Sequence, residues 1–137
     1  MAIKQAKVCE VYPEEMAVRV VYEDRDNLVS AKLPVMCQGS GTNFDYWLPD
    51  VGEQVIVNES EDGKGQGFVI GSYYSKTVPP ECQNPDVRRT KFSNGDYVEH
   101  NRKTGDMNIR CSGNLSIVCN GNITIKGARI DLNPSEA

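Results

Sequence analysis

Between Gly105 and Ala128 the chain repeats itself every eight residues. Gly105-Asp106-Met107-Asn108-Ile109-Arg110-Cys111-Ser112 is followed by Gly113-Asn114-Leu115-Ser116-Ile117-Val118-Cys119-Asn120, and then by Gly121-Asn122-Ile123-Thr124-Ile125-Lys126-Gly127-Ala128. Each unit opens on a turn pair, with Gly105, Gly113 or Gly121 preceding Asp or Asn. Each then alternates apolar and polar residues, the period of a strand with one buried face. The inward row is Met107, Ile109, Cys111, Leu115, Ile117, Cys119, Ile123 and Ile125. Asn108, Arg110, Ser116, Thr124 and Lys126 point the other way, with Val118 as the exception. The two cysteines share one phase of the repeat and read as stacked core residues.

One copy of such a ribbon does not hold itself together. Ordering each residue costs about 1–2 kcal/mol of backbone entropy, and three medium apolar side chains per eight residues return less than that sum. A lone narrow meander also leaves one face and both edges wet, and an isolated hairpin is marginal at best. Identical chains wrapped together remove the deficit. Each supplies one wall of a prism, the apolar rows meet on the axis, and the edges pair with neighbours. Three chains suit a narrow core filled by side chains, and cyclic symmetry permits it. The competing reading is an ordinary β-meander packed on the rest of one monomer. The beat slips in Arg129-Ile130-Asp131-Leu132-Asn133, where Ile130 and Leu132 arrive one position early but still extend the expected trimer core. Pro134 then stops the strand, because it cannot donate to a ladder.

Upstream, residues 1–75 read as five short strands: 6–12, 16–22, 28–35, 51–58 and 67–73. Turn-rich stretches separate them, among them Glu23-Asp24-Arg25-Asp26-Asn27 and the glycines of 39–41 and 63–67. Five such strands without helical periodicity predict a small closed barrel of the oligonucleotide/oligosaccharide-binding (OB) type. Gly71, inside an apolar strand, suggests a bulge or a close backbone approach. Residues 76–90 form a proline-rich neck, stiffened by Pro79, Pro80 and Pro85. Residues 91–137 form the second module, with about five strand segments from residue 87 onward and turns at Asn94-Gly95 and Thr104-Gly105. The fold class is therefore all-β: an N-terminal barrel and a C-terminal intertwined trimeric β-helix of triangular cross-section.

Composition narrows the function. The formal net charge of −4 argues against a non-specific nucleic-acid binder. No run of eighteen apolar residues could span a membrane, and residues 1–12 lack the basic-then-apolar pattern of an export signal. Synthesis in the cytoplasm without a signal peptide is expected. The five cysteines are odd in number and include no Cys-x-x-Cys, which disfavours a disulfide framework or a zinc knuckle. Cys82, in the neck, is expected to be the most exposed of them.

Several phrases, in order, resemble a known family. They are Trp47-Leu48-Pro49-Asp50-Val51-Gly52-Glu53-Gln54-Val55, Gly67-Phe68-Val69-Ile70-Gly71-Ser72-Tyr73-Tyr74, Pro79-Pro80, Phe92-Ser93-Asn94-Gly95 and the octads. Together they are similar to the central spike, or baseplate assembly protein V, of contractile-tailed phages and phage-tail-like bacteriocins. The resemblance implies a homotrimer whose barrels sit under the tail hub and whose C-terminal strands pierce the target cell envelope when the sheath contracts. It implies a virion or tail-like particle as the location. Longer members end in a His-x-His pair that binds a metal on the threefold axis. Here His100 is the only histidine, far upstream, so no tip metal and no cofactor are expected. The spike is expected to end bluntly and to take a separate PAAR-type tip protein as a partner.

Other chemistry finds little support. Some relatives carry a lysozyme domain between barrel and helix, where this chain has only the neck. Glu14, Glu15, Glu59, Glu61 and Asp62 all read as solvated turn charges rather than the paired carboxylates of a glycosidase. His100 has no recognisable Ser or Cys partner motif, and the glycine-rich loops lack phosphate-cradling spacing. Arg88, Arg89 and Lys91 form a basic cluster that is a solvated face or meets the acidic loops of a neighbouring barrel. Trp47 either plugs its own barrel or anchors a contact with another protomer or the hub. The expected role is structural and non-enzymatic, with no stable nucleic-acid partner. The alternative is an OB module for single-stranded nucleic acid or carbohydrate on an oligomerising β stalk. Such binders stack bases on aromatics in a basic groove, whereas aromatics are 7% here and the balance is acidic.

Overall fold

A computed structural model of the chain describes residues 2–60, 67–133 and 135. Among these residues there are nine strands and one turn of 3-10 helix, and no α-helix. The chain divides into two units, Met1–Glu81 and Cys82–Ala137.

The first unit is built around one long strand. β1 (Ala2–Tyr12) has eleven residues, enough to serve two neighbours. Its first half pairs with β5 (Gln54–Glu59), from Ala2↔Glu59 to Lys7↔Gln54. Its second half pairs with β2 (Ala17–Tyr22), from Lys7↔Val21 to Tyr12↔Ala17, and a register shift between Val8 and Glu10 bends it from one partner to the other. β3 (Leu28–Val29) and β4 (Leu33–Pro34) both pair with β2, while β6 (Gly67–Ser72) pairs with β5. A parallel bridge, Val35↔Val69, joins the residue after β4 to β6. There the Met36 N–H donates to the Val69 carbonyl at 2.9 Å. The sheet closes on itself in the order expected of an OB barrel, and closure removes its exposed edges.

The expected strand over 28–35 is divided in two, and Ser30 is the reason. This buried serine accepts the Val20 N–H through its Oγ at 3.0 Å and donates to the Ala31 carbonyl at 2.7 Å. A side chain that competes for backbone partners interrupts the ladder. Near Gly71 the β5–β6 register shifts between Ile56 and Val57, and a Cβ at Gly71 would meet nothing within 4 Å. Of the two expectations for Gly71, the bulge holds and the close approach does not. Gly67 is where backbones do approach closely: a Cβ there would lie 2.7 Å from the Cα of Glu59. Pro134, Glu61, Asp62 and the glycine-rich stretch 63–66 lie outside the described residues.

The barrel core is Ala6, Val8, Val18, Val20, Tyr22, Leu33, Val55, Val57 and Val69, with Val35 and Leu48 packed against it. β-Branched side chains suit this pleated interior. One site in it is ionic. The Tyr22 hydroxyl donates to Oε2 of Glu59, and Lys4 Nζ lies 4.0 Å from the same oxygen and 5.4 Å from the Tyr22 ring centroid. Glu59 is thus a buried residue at the end of β5, not the solvated turn charge expected from sequence. The strand outruns the apolar pattern because Lys4 and Tyr22 neutralise the carboxylate's burial.

Burial, followed by the bond to Glu59, holds the Tyr22 phenol above its ordinary value of 10.0. The folded state therefore keeps a proton that the unfolded state releases. This contribution to stability is whole below about pH 10 and is lost as pH rises toward the folded value. Urea midpoints should fall above pH 10, and Tyr22→Phe should flatten that slope. An equally steep fall in the variant would place the titration elsewhere.

In the second unit, β7 (Val87–Lys91), β8 (Tyr97–Asn101) and β9 (Met107–Arg110) form an antiparallel sheet in chain order. Gly95 (φ +96°) and Gly105 (φ +82°) supply the left-handed turns between them. Asn101 Oδ1 accepts from the N–H groups of Lys103 and Thr104, fixing the second turn. Both turns match the sequence expectation. The further strand segments do not appear within the single chain: residues 111–133 form no ladder. An alternating segment needs a partner strand, and the chain offers none beyond β9.

Candidate assembly surface

The register of the small sheet sorts its residues onto two faces. Thr90, Val98 and Ile109 lie opposite one another in one row, and Arg88, His100 and Met107 in the next. Residues directly opposite share a face, so these six lie on one side. Arg89, Glu99 and Tyr97 lie on the other, where their interactions are already made. Arg89 Nε donates to Glu99 at 2.6 Å and its guanidinium lies 5.8 Å from the Tyr97 ring centroid. On that face Arg89, Glu99 and Tyr97 are thus engaged with one another.

The face that carries Val98 and Ile109 continues into the repeat. Met107, Ile109, Leu115, Ile117, Ile123, Ile125, Ile130 and Leu132 are all exposed in the single chain, Ile117 by 71%. Every described residue from 102 onward is exposed in the single chain. Cys111 and Cys119 are exposed too, whereas Cys82 is half-buried, the reverse of the sequence expectation. The Cys119 thiol turns back on the chain and donates to the Gly121 carbonyl at 3.2 Å. Of the three repeat glycines only Gly105 has positive φ; at Gly113 and Gly121 a Cβ would meet nothing within 4 Å.

On the barrel, the segment between β4 and β5 carries a second exposed group: Met36, Phe44, Tyr46, Trp47 and Val51. Trp47 does not plug the barrel, being 63% exposed. Leu48 packs against the core instead and Pro49 is buried. The Tyr46 hydroxyl donates to the Pro13 carbonyl at 3.1 Å, tying this segment to the β1–β2 turn.

A cleft of about 250 Å³ beside β1, β2 and β5 is lined by Lys7, Glu23, Asp24, Gln54, Tyr73 and Thr77 among others, with Lys7 paired to Glu23 at 3.0 Å. Among the described residues no three His, Cys, Asp or Glu side chains gather as a metal site, and no helix is long and apolar enough to cross a membrane. Sequence reasoning missed the Lys4–Tyr22–Glu59 cluster and the pairing of Arg88 with His100. Each depends on strand register, which residue types alone do not carry.

The first unit is thus a closed barrel with OB strand order, and the second leaves a row of apolar residues uncovered in the single chain. Residues 4–74 match the type VI secretion system/phage-baseplate injector OB domain, and the chain belongs to that family. It matches no curated protein.

Proposed function

We propose that the protein is the central spike of a contractile injection machine, a phage tail baseplate or a tail-like bacteriocin, and acts as a homotrimer. The observation that carries this reading is the uncovered period-two row from Met107 to Leu132, attached to a barrel of the injector family. Three copies bury the row on a common axis and pair their edges as a triangular β-helix. Backbone hydrogen bonds between chains must then break in concert for the rod to bend. The filled axis resists compression because close-packed interiors have few voids. Force from sheath contraction passes along this rod into the target envelope. No bond of a substrate is made or broken.

The neck and barrel attach the rod to its machine. The exposed aromatic segment around Trp47 is the proposed docking surface for the tail hub, since buried aromatics dominate interface energetics. A PAAR-type protein is the proposed partner at the far end. Purified protein mixed with the hub and tip proteins of its own particle should form a ternary complex of defined mass. Trp47→Ala should weaken hub binding by roughly tenfold or more while the barrel's thermal midpoint stays within a few degrees. Unchanged hub affinity would move the docking surface away from this segment, and failure to bind hub at all would contradict the spike reading.

A further inference from the structure

The apolar face of the small sheet is not apolar throughout. Its row nearest the start of β7 reads Arg88, His100, Met107 across the three strands. Among the described residues neither the Arg88 guanidinium nor the His100 ring makes a hydrogen bond or ion pair. No acid shares the row. Glu99 lies on the opposite face with Arg89. The two aspartates flanking β7 and β8 are engaged: Asp86 by Arg102 at 2.9 Å, and Asp96 by Asn94 and the Ser112 N–H at 3.0 and 2.9 Å.

This row becomes a problem in the trimer argued above, on which the inference rests. The face that buries Ile109 and Val98 carries Arg88 and His100 with it, so three guanidiniums and three imidazoles converge around the axis. An unpaired charge withdrawn from water is strongly unfavourable, and like charges at short range add to that. A metal cation would be repelled by the guanidiniums even though imidazole is a good ligand. A tetrahedral oxyanion has the opposite sign and the matching symmetry. Its oxygens can accept from all three guanidiniums, each of which presents a planar fork of N–H donors suited to oxyanions, while imidazole N–H groups donate from the next strand. We propose that Arg88 and His100 of the three chains form an axial oxyanion site at the neck end of the rod, of a size for inorganic phosphate or sulfate.

Inorganic phosphate is the probe. The full chain is dialysed into chloride buffer, its mass measured by light scattering, and phosphate added at constant ionic strength. The wild-type trimer should gain thermal midpoint with phosphate and broaden the phosphorus NMR line of the free ion. Arg88→Gln should weaken that binding by about tenfold or more, given that it removes a charge-assisted bond from each chain. It should also raise the midpoint in the absence of phosphate, because the repulsion is gone. His100→Gln, a milder change, should weaken binding less. If Arg88→Gln fails to assemble, line broadening by the wild type and its reduction in His100→Gln decide the matter. A wild-type trimer indifferent to phosphate, or a response equal in all three proteins, overturns the site and leaves the trimer standing. A wild-type chain that is monomeric overturns both.

Discussion

Ile117→Asp should reduce the assembly to single chains. Ile117 sits in the middle of the uncovered row and is 71% exposed in the isolated chain. The substitution therefore removes little from the monomer itself. In a trimer it places three carboxylates together on a dry axis. Each ion carries a desolvation penalty of several kcal/mol, and the three repel one another at short range. Light scattering should report one chain, 15.2 kDa. The barrel should keep its thermal transition, because its core is made within residues 2–60 and 67–81. Thr124→Asp, on the outward phase of the same repeat, is the control and should leave the assembly whole. An assembly unchanged by Ile117→Asp would show that this row faces water.

Glu59→Ala should be the most damaging single change in the barrel. It leaves the Lys4 ammonium, whose side chain is 10% exposed, and the Tyr22 hydroxyl without their common partner. Breaking a buried pair from one side costs about 3–5 kcal/mol, against a total of about 5–15 kcal/mol for an ordinary domain. Urea unfolding followed by tyrosine fluorescence or circular dichroism should show a midpoint lowered accordingly. Replacing all three partners at once, as Lys4→Met, Tyr22→Phe and Glu59→Leu, should recover most of that loss, because no orphaned charge remains. A cost below about 1 kcal/mol for Glu59→Ala would mean that water reaches the carboxylate, as at a surface ion pair.

The parts of the fold that were legible in the sequence share one property: their signal is local. The alternation of Val18 and Val20 in β2, and of Val55 and Val57 in β5, gives away both strands and their buried faces. Asn94-Gly95 and Thr104-Gly105 gave both turns of the second sheet, because φ > 0 is a demand on a single residue. What stayed hidden depends on partners far along the chain. Ser30 splits a strand by bonding to Val20 across the sheet. Glu59 sits in a polar run and looks solvated until Lys4 and Tyr22 are brought to it. Trp47 and Leu48 are adjacent large side chains, yet only Leu48 packs against the core. For the assembly surface, the repeat shows which side is apolar. The rows that place Arg88 and His100 on that same side emerge only from the β7–β8–β9 register.

The central claim is that the ribbon beyond β9 finds its cover in copies of the same chain. Sedimentation equilibrium of the purified 137-residue chain, carried down to nanomolar concentration with a fluorescent label, measures this directly. Three times 15.2 kDa, held across the dilution series, is the result the account predicts. A folded species of one chain's mass at every concentration would contradict it.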